Sequence, residues 1–272
     1  MVKAYDLGTG GLMAARKLKT VDRLAKEAGK RARVHLKIDT GLGRLGVLPE
    51  LVPALCDLVR TLDWVEVEGI ASHVASPTRS EHDYFTLMQY EKFLEACRVL
   101  APDHRFLHHF SSSNTVPRLS GINSDAARCQ AIIWGLAHYW PLPWPLRPVA
   151  SFKARVVQVK TLPEGRNMGY TLRYTTTRPT RLAVVPVGVV DGPKPEHAGG
   201  GYALVRGTRC PIIGMCSCEM MADVTGAGEV EPEEEVVFIG SQGTETIDAV
   251  EFGLMGKPFF MSVLALVSPW VP

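Results

Sequence analysis

Apolar runs of four to eight residues alternate with longer amphipathic segments through the first half of the chain. Runs of that length are typical of buried strands, and apolar residues at helical spacing are typical of helices packed on a core. The alternation therefore predicts βα units built on a parallel sheet. The predicted strands are residues 2–5, 34–38, 65–72 and 106–110, and the predicted helices are residues 12–28, 51–61 and 83–100. A polar turn at 111–114 follows the last strand and is able to open a further helix.

The pattern changes after a proline-dense connector at 140–148, where neither helix nor sheet can continue. Beyond it, β-branched runs alternate with glycine-rich turns, which predicts an all-β domain. These runs are residues 156–159, 181–190, 202–205 and 236–239. We therefore expect two domains, residues 1–146 and 147–272.

The first domain is short for a closed barrel. A (β/α)₈ barrel normally takes at least about 200 residues, whereas about 146 residues at roughly 30 per βα unit build about five units. The fold class predicted from the sequence is α/β plus all-β: an incomplete (β/α)₈ TIM-type barrel followed by a C-terminal β-domain.

The amino-acid composition argues against some classes of binding partner. The 272 residues are 46% hydrophobic and 21% charged, as in a folded globular chain. A formal charge of +2 without runs of Lys or Arg argues against a nucleic-acid partner. The apolar segment 258–272 is shorter than the roughly 20 residues that span a bilayer, so no membrane partner is expected. No secretory signal is recognised, and a cytoplasmic location is expected.

The six cysteines are scattered, which favours reduced thiols in the core. The pair Cys216 and Cys218 is separated by one residue and lacks the spacing of a zinc site. No metal is expected.

The strongest candidate for chemistry is the strand 34–38 with the glycine-punctuated turn that follows it. Lys37, Asp39 and Arg44 lie at this strand end. Barrel enzymes carry their chemistry at such ends, because the rigid strand fixes the side chains presented there. Taken alone, however, Lys37 and Arg44 are equally explained as a solvated pair.

The full motif reads Val34-His35-Leu36-Lys37-Ile38-Asp39-Thr40-Gly41-Leu42-Gly43-Arg44-Leu45-Gly46-Val47. It closely resembles the signature of the alanine racemases, pyridoxal-phosphate enzymes that invert the Cα of an amino acid. The resemblance implies that Lys37 is carbamylated and that the resulting anion holds Arg44 toward the substrate carboxylate. Arginine is always charged and offers a rigid fork, so a neighbouring anion can fix its direction.

Two more motifs of the first domain resemble the same family. Gly69-Ile70-Ala71-Ser72-His73 is similar to the strand that ends in a cofactor-side histidine, which implies this role for His73. His108-His109-Phe110-Ser111-Ser112-Ser113 resembles the turn that places His109 at the pyridine ring and Ser113 at the phosphate. Without the family, His73 is equally a core histidine and the serine turn a helix cap.

Arg128 follows Ser113 by fifteen residues, the spacing found in the family. The resemblance implies that Arg128 faces the pyridine nitrogen and keeps it neutral, because arginine does not readily give up a proton. Gln130 stands where the family has a glycine beside the phosphate, a departure that affects this half of the phosphate cradle.

In the second domain, Asn167-Met168-Gly169-Tyr170 looks like the stretch that carries the family's catalytic tyrosine. Racemisation needs acid/base groups on both faces of Cα, and the resemblance gives Tyr170 one of these roles, contributed by the neighbouring subunit of a homodimer. Segments 188–192 and 211–220 also resemble the family, and Glu219 falls beside the substrate. A half-buried strand residue is the alternative for Tyr170.

The cofactor lysine is the weakest part of the resemblance. In the family it lies in a barrel element well upstream of the position of Lys37, whereas 36 residues precede Lys37 here. Lys3 is the candidate for the covalent cofactor link. We expect the chain to lack the first barrel units and the end of the family's C-terminal domain.

Two hypotheses follow. The first is an isomerase of the alanine racemase type that interconverts L- and D-alanine, or a similar small amino acid, with pyridoxal 5'-phosphate as cofactor and a two-base mechanism. The second is a truncated, non-catalytic relative that acts only as a binding or dimerisation module.

Overall fold

The computed structural model describes residues 10–100, 106–122, 124–136, 142–170 and 174–256. The chain divides into two compact units. The first comprises Met1–Ile133 and Tyr139–Pro145, and the second comprises Trp134–His138 and Leu146–Pro272. The predicted strand 2–5, Lys3 and the apolar segment 258–272 lie outside the described residues.

The first unit is built on a parallel sheet of four described strands in the order β1-β2-β3-β4. Connections between parallel strands need a crossover, and helices provide the first two. The strands are β1 (Ala32–Lys37), β2 (Val65–Ala71), β3 (Leu107–Ser112) and β4 (Ala126–Arg128). The helices are α1 (Gly10–Glu27), α2 (Val52–Arg60) and α3 (Asp83–Leu100). This arrangement confirms the predicted α/β class.

Side-chain alternation in β1 separates the core from the opposite face of the sheet. Val34 and Leu36 pack with Ile70, Phe110 and side chains of all three helices in one hydrophobic cluster. His35 and Lys37 therefore extend from the other face. The helices cover one face of the sheet and leave the other available for polar groups.

The predicted helix 83–100 coincides with α3. The polar segment 111–114 is able to open a helix, but in the structure Ser111 and Ser112 continue β3, and residues 113–118 form turns. The Ser112 N–H donates to Thr115 Oγ1 at 2.8 Å, and the Thr115 N–H donates to the Ser112 carbonyl at 3.0 Å. These local bonds favour a turn.

The second unit contains an antiparallel sheet of eight described strands, which confirms the predicted all-β class. Its order is β14-β13-β10-β11-β12-β9-β6, with β5 paired to β13, and β7 and β8 form a separate ribbon. The strands of this unit are β5 (Phe152–Arg155), β6 (Gln158–Leu162), β7 (Asn167–Met168), β8 (Tyr174–Thr175), β9 (Thr180–Val185), β10 (Tyr202–Val205), β11 (Thr208–Met215), β12 (Met220–Asp223), β13 (Glu235–Gln242) and β14 (Glu245–Ile247). Helix α4 (Ala249–Met255) follows, capped by Asp248, whose side chain accepts from the Glu251 N–H.

Two predicted strands of this unit have different bounds. The run 156–159 is broken because the Val156 N–H donates to Glu234 and the Val157 N–H donates to Val184. The chain thus changes partners between β5 and β6. The run 181–190 ends as a strand at Val185, and Val189–Asp191 forms a 3₁₀ turn.

Among the described residues, no helix combines the length and the apolar character that crossing a bilayer requires.

Candidate active site

The carboxyl ends of β1 to β4 lie along one edge of the parallel sheet. The strand register pairs Lys37 with Ala71, Ala71 with His109, and Ser112 with Arg128. Because parallel strands end at a common edge, residues far apart in sequence become neighbours there. Lys37, His73, Ser113 and Arg128 all lie at or just beyond their strand ends.

The turn after β1 is closed by its own hydrogen bonds. Asp39 Oδ1 accepts from the backbone N–H groups of Gly41, Leu42 and Gly43 at 3.0, 3.0 and 3.1 Å. The Val47 N–H donates to the Lys37 carbonyl at 2.8 Å, which brings the chain back to β1. The exposed Arg44 is carried inside this closed turn.

Gly46 is required where the turn closes. Its φ is +132°, and a Cβ there would lie 2.5 Å from the Asp39 backbone nitrogen. A residue with a side chain would therefore force the returning chain away from β1. The glycine spacing of the motif thus has a steric cause.

Lys37 is 8% exposed, which is unusual for a lysine. Buried lysines are rare unless they are paired, because transferring an ammonium from water is costly. Its position on the face opposite the hydrophobic core places its long side chain among the polar groups of the sheet edge.

Burial and nearby cations together lower the pKa of His73. Its pKa is lowered to about 4, first by burial and then by the positive charges of Lys37, Arg128 and Arg44. Three cations, two from the end of β1 with its turn and one from the end of β4, therefore act on one imidazole, which is neutral at pH 7. Its Nδ1 is buried and makes no hydrogen bond within the described residues. Four of the predicted site residues are brought together here.

His109 is bonded to a residue that the sequence did not single out. Its Nε2 lies 2.9 Å from Nδ1 of His35. His109 is on β3 and His35 is on β1, with β2 between them. Gly69 of β2 has no side chain, so the two rings can meet across this strand. A Cβ at Gly69 would lie 2.5 Å from His35 Nδ1. Burial, and after it the nearby Arg33, lowers the pKa of His35.

Ser113 joins the ends of β3 and β4. Its side chain is 7% exposed, and its Oγ accepts a hydrogen bond from the Gln130 N–H at 2.8 Å. The hydroxyl proton of Ser113 is left for another acceptor. Position 130, where the family's glycine is replaced, therefore contributes its backbone to the site edge. Arg128 lies two residues earlier and is exposed.

The candidates of the second unit lie in exposed turns. Tyr170 is 72% exposed and follows β7, so it is not a half-buried strand residue. Glu219 is exposed in the turn between β11 and β12, where its carbonyl accepts from the Cys216 N–H at 2.7 Å. The Val189 N–H donates to the Cys216 carbonyl at 3.1 Å, so segments 188–192 and 211–220 meet within this unit.

The residues of the first unit fit a phosphorylated anionic ring. Lys37, Arg44 and Arg128 make this edge of the sheet favourable for anionic groups, and the Ser113 hydroxyl and the buried His73 Nδ1 are polar groups that such a ring can satisfy. In the part of the chain that is described, no three His, Cys, Asp or Glu side chains gather as a metal site would require.

Sequence comparison identifies both units. Residues 11–138 match the profile of the alanine racemase N-terminal domain, and residues 149–269 match that of the alanine racemase C-terminal domain. The alanine racemase of Halothermothrix orenii is 32% identical over 262 residues, which cover 93% of this chain and 68% of that protein.

Solved structures give the same result. The alanine racemase of the D-cycloserine producer Streptomyces lavendulae superposes with a TM-score of 0.85 at 27% identity, over 97% of this chain and 70% of the other. The alanine racemase of Bartonella henselae with covalently bound pyridoxal phosphate has a TM-score of 0.79 at 21% identity, over 93% and 69% of the two chains, a likeness of fold. The chain spans about two thirds of the length of these relatives.

Proposed function

The chain belongs to the alanine racemase family, and on this premise we propose that it takes part in the interconversion of L- and D-alanine. The cofactor is pyridoxal 5'-phosphate, held at the carboxyl edge of the parallel sheet. The strand register that brings Lys37, His109 and Arg128 to one edge of the parallel sheet is the observation that carries the proposal. We also place the protein in the cytoplasm, as the sequence predicted.

Cofactor binding is supported by charge and by hydrogen-bonding capacity. His73 and His109 would hold the ring, the Ser113 hydroxyl would donate to the phosphate, and Arg128 would act on the ring nitrogen. An arginine at that nitrogen keeps it unprotonated, because the guanidinium does not release its proton at neutral pH. When bound, the cofactor supplies an electron-poor ring that makes the Cα proton of the amino acid acidic.

Arg44 binds the substrate carboxylate, and Lys37 directs it. Lys37 becomes a carbamate when its neutral amine attacks carbon dioxide, which forms an N–C bond and releases a proton. The cations Arg44 and Arg128 at the same sheet edge favour this change because it turns a positive charge into a negative one. The carbamate then pairs with the fork of Arg44. Labelling with ¹³C-bicarbonate tests the modification by carbon NMR.

Proton transfer needs one group on each face of the substrate. Tyr170 holds the proton on one face, and its exposure leaves it available to a second copy of the chain. Lys3 is the candidate on the opposite face. Glu219 lies beside the substrate amino group in this scheme. A homodimer with shared sites follows from the proposal.

The test combines cofactor trapping with product analysis. Purified chain is mixed with pyridoxal phosphate, reduced with borohydride and digested, and the labelled peptide is mapped. D-alanine formed from L-alanine is measured in the same preparation. We expect a label on Lys3 and formation of D-alanine, both lost in Arg128→Met and retained in the control Arg155→Met, an exposed arginine of the second unit.

The possible outcomes separate the hypotheses. Binding without D-alanine would favour the alternative of a non-catalytic binding or dimerisation module. A wild-type chain that neither binds the cofactor nor is labelled would contradict the proposed function.

A further inference from the structure

A buried network of polar side chains lies beneath the carboxyl edge of the parallel sheet. It consists of Thr40 in the turn after β1, Ser72 after β2, and Gln89 in the middle of α3. These side chains are 2%, 5% and 0% exposed. Buried polar groups are costly unless they are hydrogen-bonded, so their partners indicate what the network holds.

The direction of the hydrogen bonds is determined by their acceptors. Ser72 Oγ donates to the Ile38 carbonyl at 2.8 Å, which uses its only proton. Thr40 Oγ1, 2.8 Å from Ser72 Oγ, must then donate to it. Gln89 Nε2 donates to Thr40 Oγ1 at 3.3 Å. The network is a single chain of donors that begins on α3 and ends on the backbone after β1.

The remaining hydrogen-bonding groups of Gln89 hold the segment after β2. Its Oε1 accepts from the Ala75 N–H at 3.0 Å, and its Nε2 also donates to the His73 carbonyl at 3.3 Å. The opposite orientation of the carboxamide would place its amino group against the Ala75 N–H, two donors together. The carboxamide therefore fixes the backbone on both sides of Val74.

The same helix supports the turn that carries Arg44. Gly41 lies against the ring of Phe85, and a Cβ there would be 3.0 Å from Phe85 Cζ. Phe85 precedes Gln89 by one helical turn. Helix α3 thus holds two segments of the site, one through a close contact and both through the hydrogen bonds of Gln89.

We propose that Gln89 is a positioning residue of the site: its carboxamide locks the turn that carries Arg44 and the segment that carries His73 into one arrangement. Gln89 itself touches neither cofactor nor substrate. The identity of the ligand rests on the proposed function, whereas the arrangement of the two segments does not.

The variants separate hydrogen bonding from packing. Gln89→Met keeps a side chain of similar length and removes every hydrogen bond of the carboxamide. Thr86→Val is the matched control, because Thr86 is 0% exposed on the same helix and its hydroxyl makes no hydrogen bond within the described residues. Thr40→Val breaks the network at a second point, and Thr40→Ser restores the hydroxyl. If Gln89→Met does not fold, Thr40→Val and Thr40→Ser still test the proposal.

Three quantities are measured on the full chain: the pKa of His73 by NMR, hydrogen exchange of the Ala75 amide, and the dissociation constant of pyridoxal phosphate. In Gln89→Met we expect the His73 pKa to rise from about 4 toward its ordinary value of 6.5, because water enters and the cations move away. The Ala75 amide should exchange about ten times faster and the cofactor should bind about ten times more weakly. Thr40→Val should shift the His73 pKa in the same direction, and Thr86→Val and Thr40→Ser should leave it unchanged.

A purely structural role for Gln89 predicts a different result. The free energy of unfolding would fall, but the His73 pKa and the Ala75 exchange rate of the folded protein would stay as in the wild type, and this result would overturn the proposal. If the wild-type chain fails to bind pyridoxal phosphate while the His73 pKa still responds to Gln89→Met, the proposed function fails and the positioning role stands.

Discussion

At the scale of single residues, the site is an electrostatic arrangement around one neutral imidazole. His73 is shielded from water and faces three cations, and these two causes act on its pKa in the same direction. Neither cause is visible at position 73 in the sequence. All three cations were singled out in the sequence, and the strand order of the sheet brings them to one edge.

Replacement of Lys37 tests this arrangement. In buffer freed of carbon dioxide, where Lys37 keeps its positive charge, Lys37→Met removes the largest of the three charge contributions, so the pKa of His73 should rise from about 4 by up to about one unit. It should stay below 6.5, because burial is the larger cause. Histidine NMR titration measures the change. The exposed Lys160, changed to Met in the second unit, is the control for net charge, and an unchanged His73 pKa in Lys37→Met would contradict the arrangement.

Gly69 has a steric role that the sequence did not reveal. An added Cβ would lie 2.5 Å from the His35 ring and 2.8 Å from the Leu107 carbonyl oxygen. Gly69→Ala should therefore separate β1 from β3 and lower the free energy of unfolding by about 1–3 kcal/mol. Urea unfolding measures this effect. Gly121→Ala, where a Cβ meets no atom within 4 Å, should change the stability little; equal losses in the two variants would contradict the steric explanation.

At the scale of elements, the turn after β1 is the part of the site whose structure its own sequence explains. Asp39 accepts three backbone N–H groups, and the glycines allow the chain to return to β1. Because all of these interactions are local, the motif predicts the turn. Interactions with distant strands determine other elements. The sequence predicts one strand at 156–159, but the chain there changes its hydrogen-bonding partner from β13 to β9.

Removal of the Asp39 side chain should loosen this turn. Asp39→Ala leaves three backbone N–H groups without their acceptor. We therefore expect the amides of Gly41 to Gly43 to exchange about ten times faster. Hydrogen–deuterium exchange measures this rate. Asp39→Asn keeps an oxygen at the same place and should exchange nearly as slowly as the wild type. Fast exchange in the Asn variant would show that charge, and not the acceptor geometry, holds the turn.

At the scale of the whole molecule, the pH dependence of stability follows from buried neutral histidines. Burial is the main reason that the pKa values of His73 and His197 are lowered. Unfolded histidines bind protons near pH 6.5, whereas folded His73 does so near pH 4, so the unfolded state binds more protons between these values. Stability should therefore be lost as the pH falls from about 6.5 toward 4.

Urea unfolding between pH 7 and pH 5 measures this loss. The decrease should be smaller in His73→Gln, because glutamine does not titrate. The His82→Gln variant is the comparison, since the His82 ring is only half-buried and its Nδ1 lies 2.8 Å from Ser76 Oγ. If the free energy of unfolding fell with pH equally in the wild type and in His73→Gln, the contribution of His73 would be contradicted.

The proposed shared site makes a prediction about mixed dimers. Tyr170→Phe and Lys37→Met should each be inactive. When the two variants are unfolded and refolded together, about a quarter of the active sites should regain racemase activity. The reason is that half of the dimers are mixed, and each mixed dimer has one site with both native residues. Racemase assays of the mixture, with each variant refolded alone as the control, measure the recovery; no recovery despite mixed dimers would contradict a shared site.

The sequence by itself determined the class of both units, the bounds of α3 and the turn after β1, because these depend on local spacing, hydrophobic periodicity and glycine conformation. It also determined the family, because the motif residues keep their spacing. Tertiary contacts alone explain that Gln89, Thr40 and Ser72 form one chain of hydrogen bonds, that Gly69 admits the pairing of His35 with His109, and that the charges of Lys37, Arg44 and Arg128 act on His73. These features depend on which strands and helices become neighbours, and contacts between distant segments leave no periodic signal in the sequence.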